Sequence, residues 1–124
     1  MSKLTPPEEE IMNYLWQIES GYMKDIVDQF PDPKPAYTTI ATLITRMIDK
    51  GYIGFAQHGK VRKYFPLLKK GDYFESHFNK LIKNFFNNST SQFASFFTAK
   101  ADLSVDQLEE LKKIIESQIE KKKK

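Results

Sequence analysis

A chain of 124 residues, 40% apolar and 28% charged, has room for one small domain with an appendage and enough apolar side chains for a core. No apolar run reaches the roughly 18–20 residues needed to cross a bilayer, and the absence of cysteine excludes disulfides and thiolate metal sites. The net charge of +3 hides an asymmetry, since residues 1–33 carry seven acids and two bases whereas residues 34–70 carry eight bases and one acid, Asp49. A basic middle segment predicts a surface that faces a polyanion. The opening "MSKLTPPEEE" lacks the apolar stretch of a secretory signal, so a cytoplasmic location is expected.

Thr5 as N-cap, Pro6 at the first helical position and Glu8 three residues after the cap predict a helix opened by a capping box. Glu8, Glu9 and Glu10 then sit in the first turn, where the helix dipole favours negative charge. Capping accounts for them without a metal or acid–base role. Ile11, Leu15 and Ile18 form the expected buried stripe, with Met12, Tyr14 and Trp16 alongside, and Ser20 and Gly21 close the helix. A short second helix follows in "YMKDIVDQF", with Met23, Ile26, Val27 and Phe30 on one side. The prolines of "PDPKPA" make a stiff turn. The third helix lies in "PAYTTIATLITRMIDKG", where Ile40, Leu43, Ile44 and Met47 recur at helical spacing and Gly51 ends the run.

After Gly51 the period shortens. "YIGFAQ" and "VRKYFP", joined by "HGK", read as a β-hairpin whose tip and returning strand carry His58, Lys60, Arg62 and Lys63. From Gly71, "GDYFESHFNKLIKNFF" reads as a helix capped by Asp72 with Glu75, and the break at "KKGD" before it suggests a hinge. "NNSTS" ends that helix and "QFASFF" is a short aromatic segment. A last helix, capped by Ser104 with Gln107, uses Leu108, Leu111, Ile115 and Ile119. The terminal "KKKK" is expected to be a frayed, solvated tail.

Three short helices followed by a hairpin is the layout of a winged helix-turn-helix domain. The expected fold is therefore mainly α with a small β-hairpin wing: a DNA-binding domain over residues 1–70, then a helical dimerisation segment over residues 71–124. With the third helix packed through its apolar stripe, Thr38, Thr42 and Thr45 fall opposite the core, Arg46 flanks them and Thr39 lies near the boundary. Threonine is a poor helix former. On an outer face it makes sense where hydroxyl and methyl groups meet base edges, because glutamate would be repelled by phosphate and lysine reads little sequence. Thr39 and Arg46 are candidates for phosphate or base-edge contacts, and Lys60, Arg62 and Lys63 for the DNA backbone.

A threonine face taken alone is more often a solvent face. Winged helices also serve as protein-interaction adaptors, and a nonspecific DNA-architectural role is a further alternative. The coincidence of element order, basic segment and uncharged outer face within residues 22–65 favours sequence-specific binding of double-stranded DNA. His58 and His77 sit on different elements without a cysteine or a glycine-rich phosphate loop, so no catalytic residue, metal ligand or cofactor is expected. Seven of the ten phenylalanines lie after residue 70. Phe74, Phe78, Leu81, Ile82, Phe85, Phe93, Phe97, Leu108, Leu111 and Ile115 are the candidates for a two-fold homodimer interface that would set two recognition helices on a palindrome.

The runs "LTPPEEEIMNYLW", "TTIATLITRMIDKGYI", "KYFPLL" and "DLSVDQLEELKKII" together resemble the BlaI/MecI penicillinase-repressor family over nearly the whole chain. The most specific part is Thr39, Thr42, Leu43, Ile44, Thr45, Arg46, Met47, Lys50, Gly51, Tyr52 and Ile53. The resemblance implies a dimeric winged-helix repressor with interlocking C-terminal helices, bound to inverted-repeat operators of resistance genes. It also implies induction by cleavage in the C-terminal region, triggered by a membrane sensor with a metallopeptidase domain. The family's scissile bond is typically Asn-Phe; alignment on Asp102, Leu103 and Ser104 puts Phe96 and Phe97 there, so the asparagine is missing. The family's copper-responsive branch uses C-terminal cysteines, which this chain lacks, so metal sensing through thiolates is excluded.

Overall fold

The computed structural model describes residues 3–124. In chain order the elements are α1 (Pro6–Ile18), β1 (Gly21–Tyr22), α2 (Met23–Asp28), α3 (Tyr37–Asp49), β2 (Ile53–His58), β3 (Val61–Pro66), α4 (Lys70–Phe85), α5 (Thr90–Lys100) and α6 (Val105–Lys123). They form two compact units, one ending at Ser76 and the other beginning at His77.

In the first unit, α1 opens as its sequence dictates. The Thr5 amide donates to Glu8 Oε1 at 2.8 Å and the Glu8 amide to Thr5 Oγ1 at 3.4 Å, which satisfies two otherwise orphaned donors. The helix ends at Ile18, earlier than the Ser20-Gly21 pair suggests, because Glu19 takes a left-handed φ of 69° and its amide donates to the Leu15 carbonyl at 2.8 Å. Gly21 instead belongs to β1, where a Cβ would stand 2.9 Å from Ile18 Cδ1. Helix α3 stops as expected. Gly51 adopts φ 86°, and the amides of Gly51 and Tyr52 donate to the Ile48 and Met47 carbonyls, the paired bonds of a Schellman motif.

The strands make one antiparallel sheet in the order β1-β3-β2. Gly21 stands opposite Tyr64, and Tyr22 opposite Lys63. The hairpin pairs Ile53 with Pro66 through to His58 with Val61, leaving Gly59 and Lys60 as a two-residue turn with Gly59 at φ 62°. The core beneath is Ile11, Met12, Leu15, Ile26, Ile40, Ile44, Met47 and Ile53, each fully buried. Ile18 and Leu43, expected in the buried stripes, are half-buried at its edge.

Helix α4 corrects two expectations. It begins at Lys70, so Gly71 and Asp72 lie inside its first turn instead of forming a hinge and a cap. The anchor is Tyr73, which is buried against Trp16 (ring centroids 5.7 Å apart) and Tyr52 (6.2 Å) and donates its hydroxyl to the Glu9 carboxylate. Just before it, Trp16 Nε1 donates to the Leu68 carbonyl at 2.8 Å. Phe74 also belongs to this unit, its ring centroid 6.5 Å from that of Trp16.

In the second unit, Asn87 and Asn88 at φ 52° and 59° end the α4 run where "NNSTS" predicts a break. The segment around "QFASFF" is a full helix, α5, capped by Ser89, whose Oγ accepts from the Gln92 amide at 3.1 Å. Ser104 and Gln107 form the expected capping box of α6. The terminal lysines continue α6 as far as Lys123, since lysine is a good helix former and cations favour a helix C-terminus. Ile82 is the one buried side chain among the described residues of this unit.

Candidate nucleic-acid interface

Helix α3 is held against the core by Ile40, Ile44 and Met47, and that contact decides which side chains face outward. Thr38, Thr39, Thr42, Thr45 and Arg46 are all exposed, so Thr39 lies on the outer surface and not at the boundary. The ~100° step per residue places Thr38, Thr42 and Thr45 within about 60° of one another on the helix. Thr42 Oγ1 donates to the Thr38 carbonyl at 2.9 Å, and Thr45 Oγ1 to the Ala41 carbonyl at 3.0 Å. Asp49 is the only acid on the helix; it lies in the last turn, one turn beyond Thr45 and Arg46.

The wing bases divide between the two faces of the sheet. Arg62 stacks its guanidinium 4.1 Å from the centre of the Phe55 ring, which fixes the direction of its fork. Lys63, the next residue, projects from the opposite face and sits 5.8 Å from the centre of the Tyr22 ring. Lys60 is exposed in the turn. Between the wing and the start of α3 lies an open cleft of about 560 Å³ lined by Tyr22, Met23, Lys24, Tyr37, Gln57, Lys60, Val61, Arg62 and Tyr64. The structure therefore brings Lys60 and Arg62 together with the first turn of α3 and leaves Lys63 outside the cleft.

Tyr37 and Lys24 were missed from sequence. Tyr37 is 59% exposed at the first position of α3, although its spacing from Ile40 and Ile44 would set it with the apolar stripe, so periodicity did not mark it. Nothing in the pattern of α2 marks Lys24. Two bases of the middle segment are engaged elsewhere: Lys50 pairs with Glu8, and Lys34 donates to the Asp28 and Phe30 carbonyls at the end of α2. The concentration of positive charge is consequently narrower than the sequence count suggests.

The candidate dimerisation residues behave differently from core residues. Phe78, Leu81, Phe85, Phe97, Leu108 and Ile115 are exposed, Phe93 and Leu111 half-buried, and Ile82 buried. Phe93 stacks on Phe97 and meets Phe78 and Phe86 edge-on, with Phe96 against Phe86. Leu81, Phe86, Phe93, Phe96, Phe97, Lys100 and Ala101 line an apolar hollow of about 310 Å³. The Phe96–Phe97 bond lies inside α5. His58 closes β2 beside Tyr22, whereas His77 lies on α4; among the described residues no group of histidines and carboxylates could hold a metal ion.

Comparison with known proteins agrees with this architecture. The penicillinase-repressor family matches residues 4–117. The methicillin resistance regulatory protein MecI of Staphylococcus aureus (strain N315) is 30% identical over 118 residues, covering 91% of this chain and 93% of its own length. The penicillinase repressor of Bacillus licheniformis is 25% identical over 122 residues, covering 98% and 95%. The solution structure of the DNA-binding domain of the repressor BlaI superposes with a TM-score of 0.51 at 26% identity, covering 59% of this chain and 94% of that domain. The winged-helix fold and the full-length match agree, and the chain belongs to the penicillinase-repressor family, a family of transcriptional repressors and not of enzymes.

Proposed function

We propose that this chain is a sequence-specific DNA-binding repressor, acting in the cytoplasm as a homodimer on inverted-repeat operators of a resistance or stress operon. The observation that carries the reading is the uncharged, exposed threonine face of α3 beside a cleft that holds Lys60 and Arg62. Residues 1–70 are the DNA-binding part and residues 71–124 the dimerisation part. Thr38, Thr42 and Thr45 take groove contacts, while Thr39 and Arg46 take phosphates or base edges. Lys60, Arg62 and Lys63 take the DNA backbone.

Dimerisation is supported by the near absence of burial beyond His77, where Ile82 alone is buried and Phe85 is 75% exposed. A unit so poor in core needs a partner to cover its apolar surface. A two-fold axis would then set two copies of α3 on half-sites about 34 Å apart, one turn of DNA. The resistance setting rests on the relatives, which are named as regulators of methicillin resistance and penicillinase. A membrane sensor with a metallopeptidase domain is the proposed source of the inducing signal. For the Phe96–Phe97 bond to be cut, α5 must first unwind into an extended segment.

The test is a gel-shift series with DNA from upstream of the protein's own gene, at two salt concentrations and with a scrambled competitor. A shift that survives the competitor and weakens with salt is expected. Equal competition by scrambled DNA would leave a nonspecific architectural protein, and a shift insensitive to salt would leave a protein-binding adaptor. Sedimentation as a monomer at micromolar concentration would overturn the dimer.

A further inference from the structure

The hydroxyl groups on α3 are not equivalent. Thr42 and Thr45 donate theirs to the carbonyls of Thr38 and Ala41, one turn back along the helix. A threonine hydroxyl has a single proton, so neither side chain retains a donor for a base edge while that bond is kept. What each has left for a base edge is a methyl group, together with oxygen lone pairs. Thr38 and Thr39 stand in the first turn, where no preceding helical carbonyl is available, and no such bond engages them.

The major-groove edges of the two base pairs differ in what they ask of such a surface. Guanine presents only the acceptors N7 and O6, which require a donor. An A·T pair presents the thymine C5-methyl group and the adenine amino donor. Arg46 is a donor fork, exposed beside the threonines, with no ion pair to any described carboxylate. We propose that Thr42 and Thr45 select A·T pairs through the thymine methyl group, their lone pairs remaining open to the adenine amino group, and that Arg46 supplies the guanine contact at this end of the helix. This rests on α3 being the reading helix, as proposed above, and it names which base edges that helix reads.

The test begins with the full chain selecting bound duplexes from a randomised library. Replacing each selected thymine by deoxyuridine removes only the methyl group, and at a contacted position wild-type binding falls about fourfold, the worth of one buried methyl. Thr42→Val keeps a methyl and lacks the hydroxyl; whatever its overall affinity, it keeps the uracil penalty at the same position. Thr42→Ser keeps the hydroxyl and lacks the methyl; it binds about fourfold more weakly and is indifferent to uracil at one position. Three results overturn the inference and leave a sequence-specific repressor standing: no uracil penalty anywhere, loss of the uracil penalty in Thr42→Val, or wild-type behaviour in Thr42→Ser. A library with no enriched sequence overturns both.

Discussion

The ammonium of Lys50, just past the end of α3, lies 2.7 Å from Oε1 of Glu8, a side chain only 1% exposed in the first turn of α1. The same carboxyl oxygen accepts the Thr5 amide, so one glutamate both caps α1 and ties it to the far end of the helix that carries the threonine face. Burial by itself would raise the Glu8 carboxyl, but the hydrogen bonds from Lys50 and Thr5 outweigh it and hold the group below the usual carboxylate range.

Lys50→Met should therefore cost roughly 2–3 kcal/mol at neutral pH, below the full penalty for breaking a buried pair because Lys50 keeps some solvent access. A depressed carboxyl stabilises the fold above its unfolded pKa, and that contribution is lost as the pH falls through the folded value. In the variant the buried carboxylate keeps the Thr5 amide but loses its cation, and gains more from protonation. The gap between the two proteins should shrink in acid, as urea titrations at pH 7 and in the carboxylate range would register.

Tyr73→Phe removes the hydroxyl bond to Glu9 while keeping the ring against Trp16, and should cost about 1–2 kcal/mol. Burial, and then the neighbouring Glu9, push the Tyr73 phenol above its ordinary value. A raised phenol stabilises the fold up to the unfolded pKa near 10.0 and loses that contribution as the pH rises through the folded value. Wild type should thus lose part of its advantage over Tyr73→Phe in strong alkali. Fluorescence of Trp16, the single tryptophan, reports both unfolding curves.

On DNA, Lys60→Ala should weaken binding to all sequences about equally and reduce the salt slope by about one unit. Thr42→Glu should abolish specific binding while the oligomeric state is unchanged, since it sets a negative charge against the phosphates. Titrations at several salt concentrations separate the two effects. Operator affinity unaltered in Thr42→Glu would show that α3 does not read the site.

Ile115→Glu places a charge on the exposed apolar side of α6, where Ile115 is 60% exposed. The expected outcome is a folded monomer by sedimentation, with thermal unfolding of the first unit unchanged and operator affinity reduced by loss of the second half-site. A dimer of undiminished affinity would place the interface elsewhere.

Much of this molecule is local, and local features are legible in a sequence. The Thr5–Glu8 and Ser104–Gln107 boxes, the Gly51 stop, the Gly59 turn and the apolar stripe of α3 each depend on residues within about a turn of one another. The outward direction of Thr38, Thr42 and Thr45 follows from that stripe. Tertiary structure decided what depends on distant partners. Strand β1 has two residues, too few for any periodicity, and exists because β3 passes beside it. Helix α4 starts at Lys70, despite Gly71, because Trp16, Tyr52 and Glu9 bury and bond Tyr73. The same holds for charge: Lys50 and Lys60 are identical letters in one basic segment, yet packing commits Lys50 to Glu8 and leaves Lys60 at the tip of the wing, facing solvent.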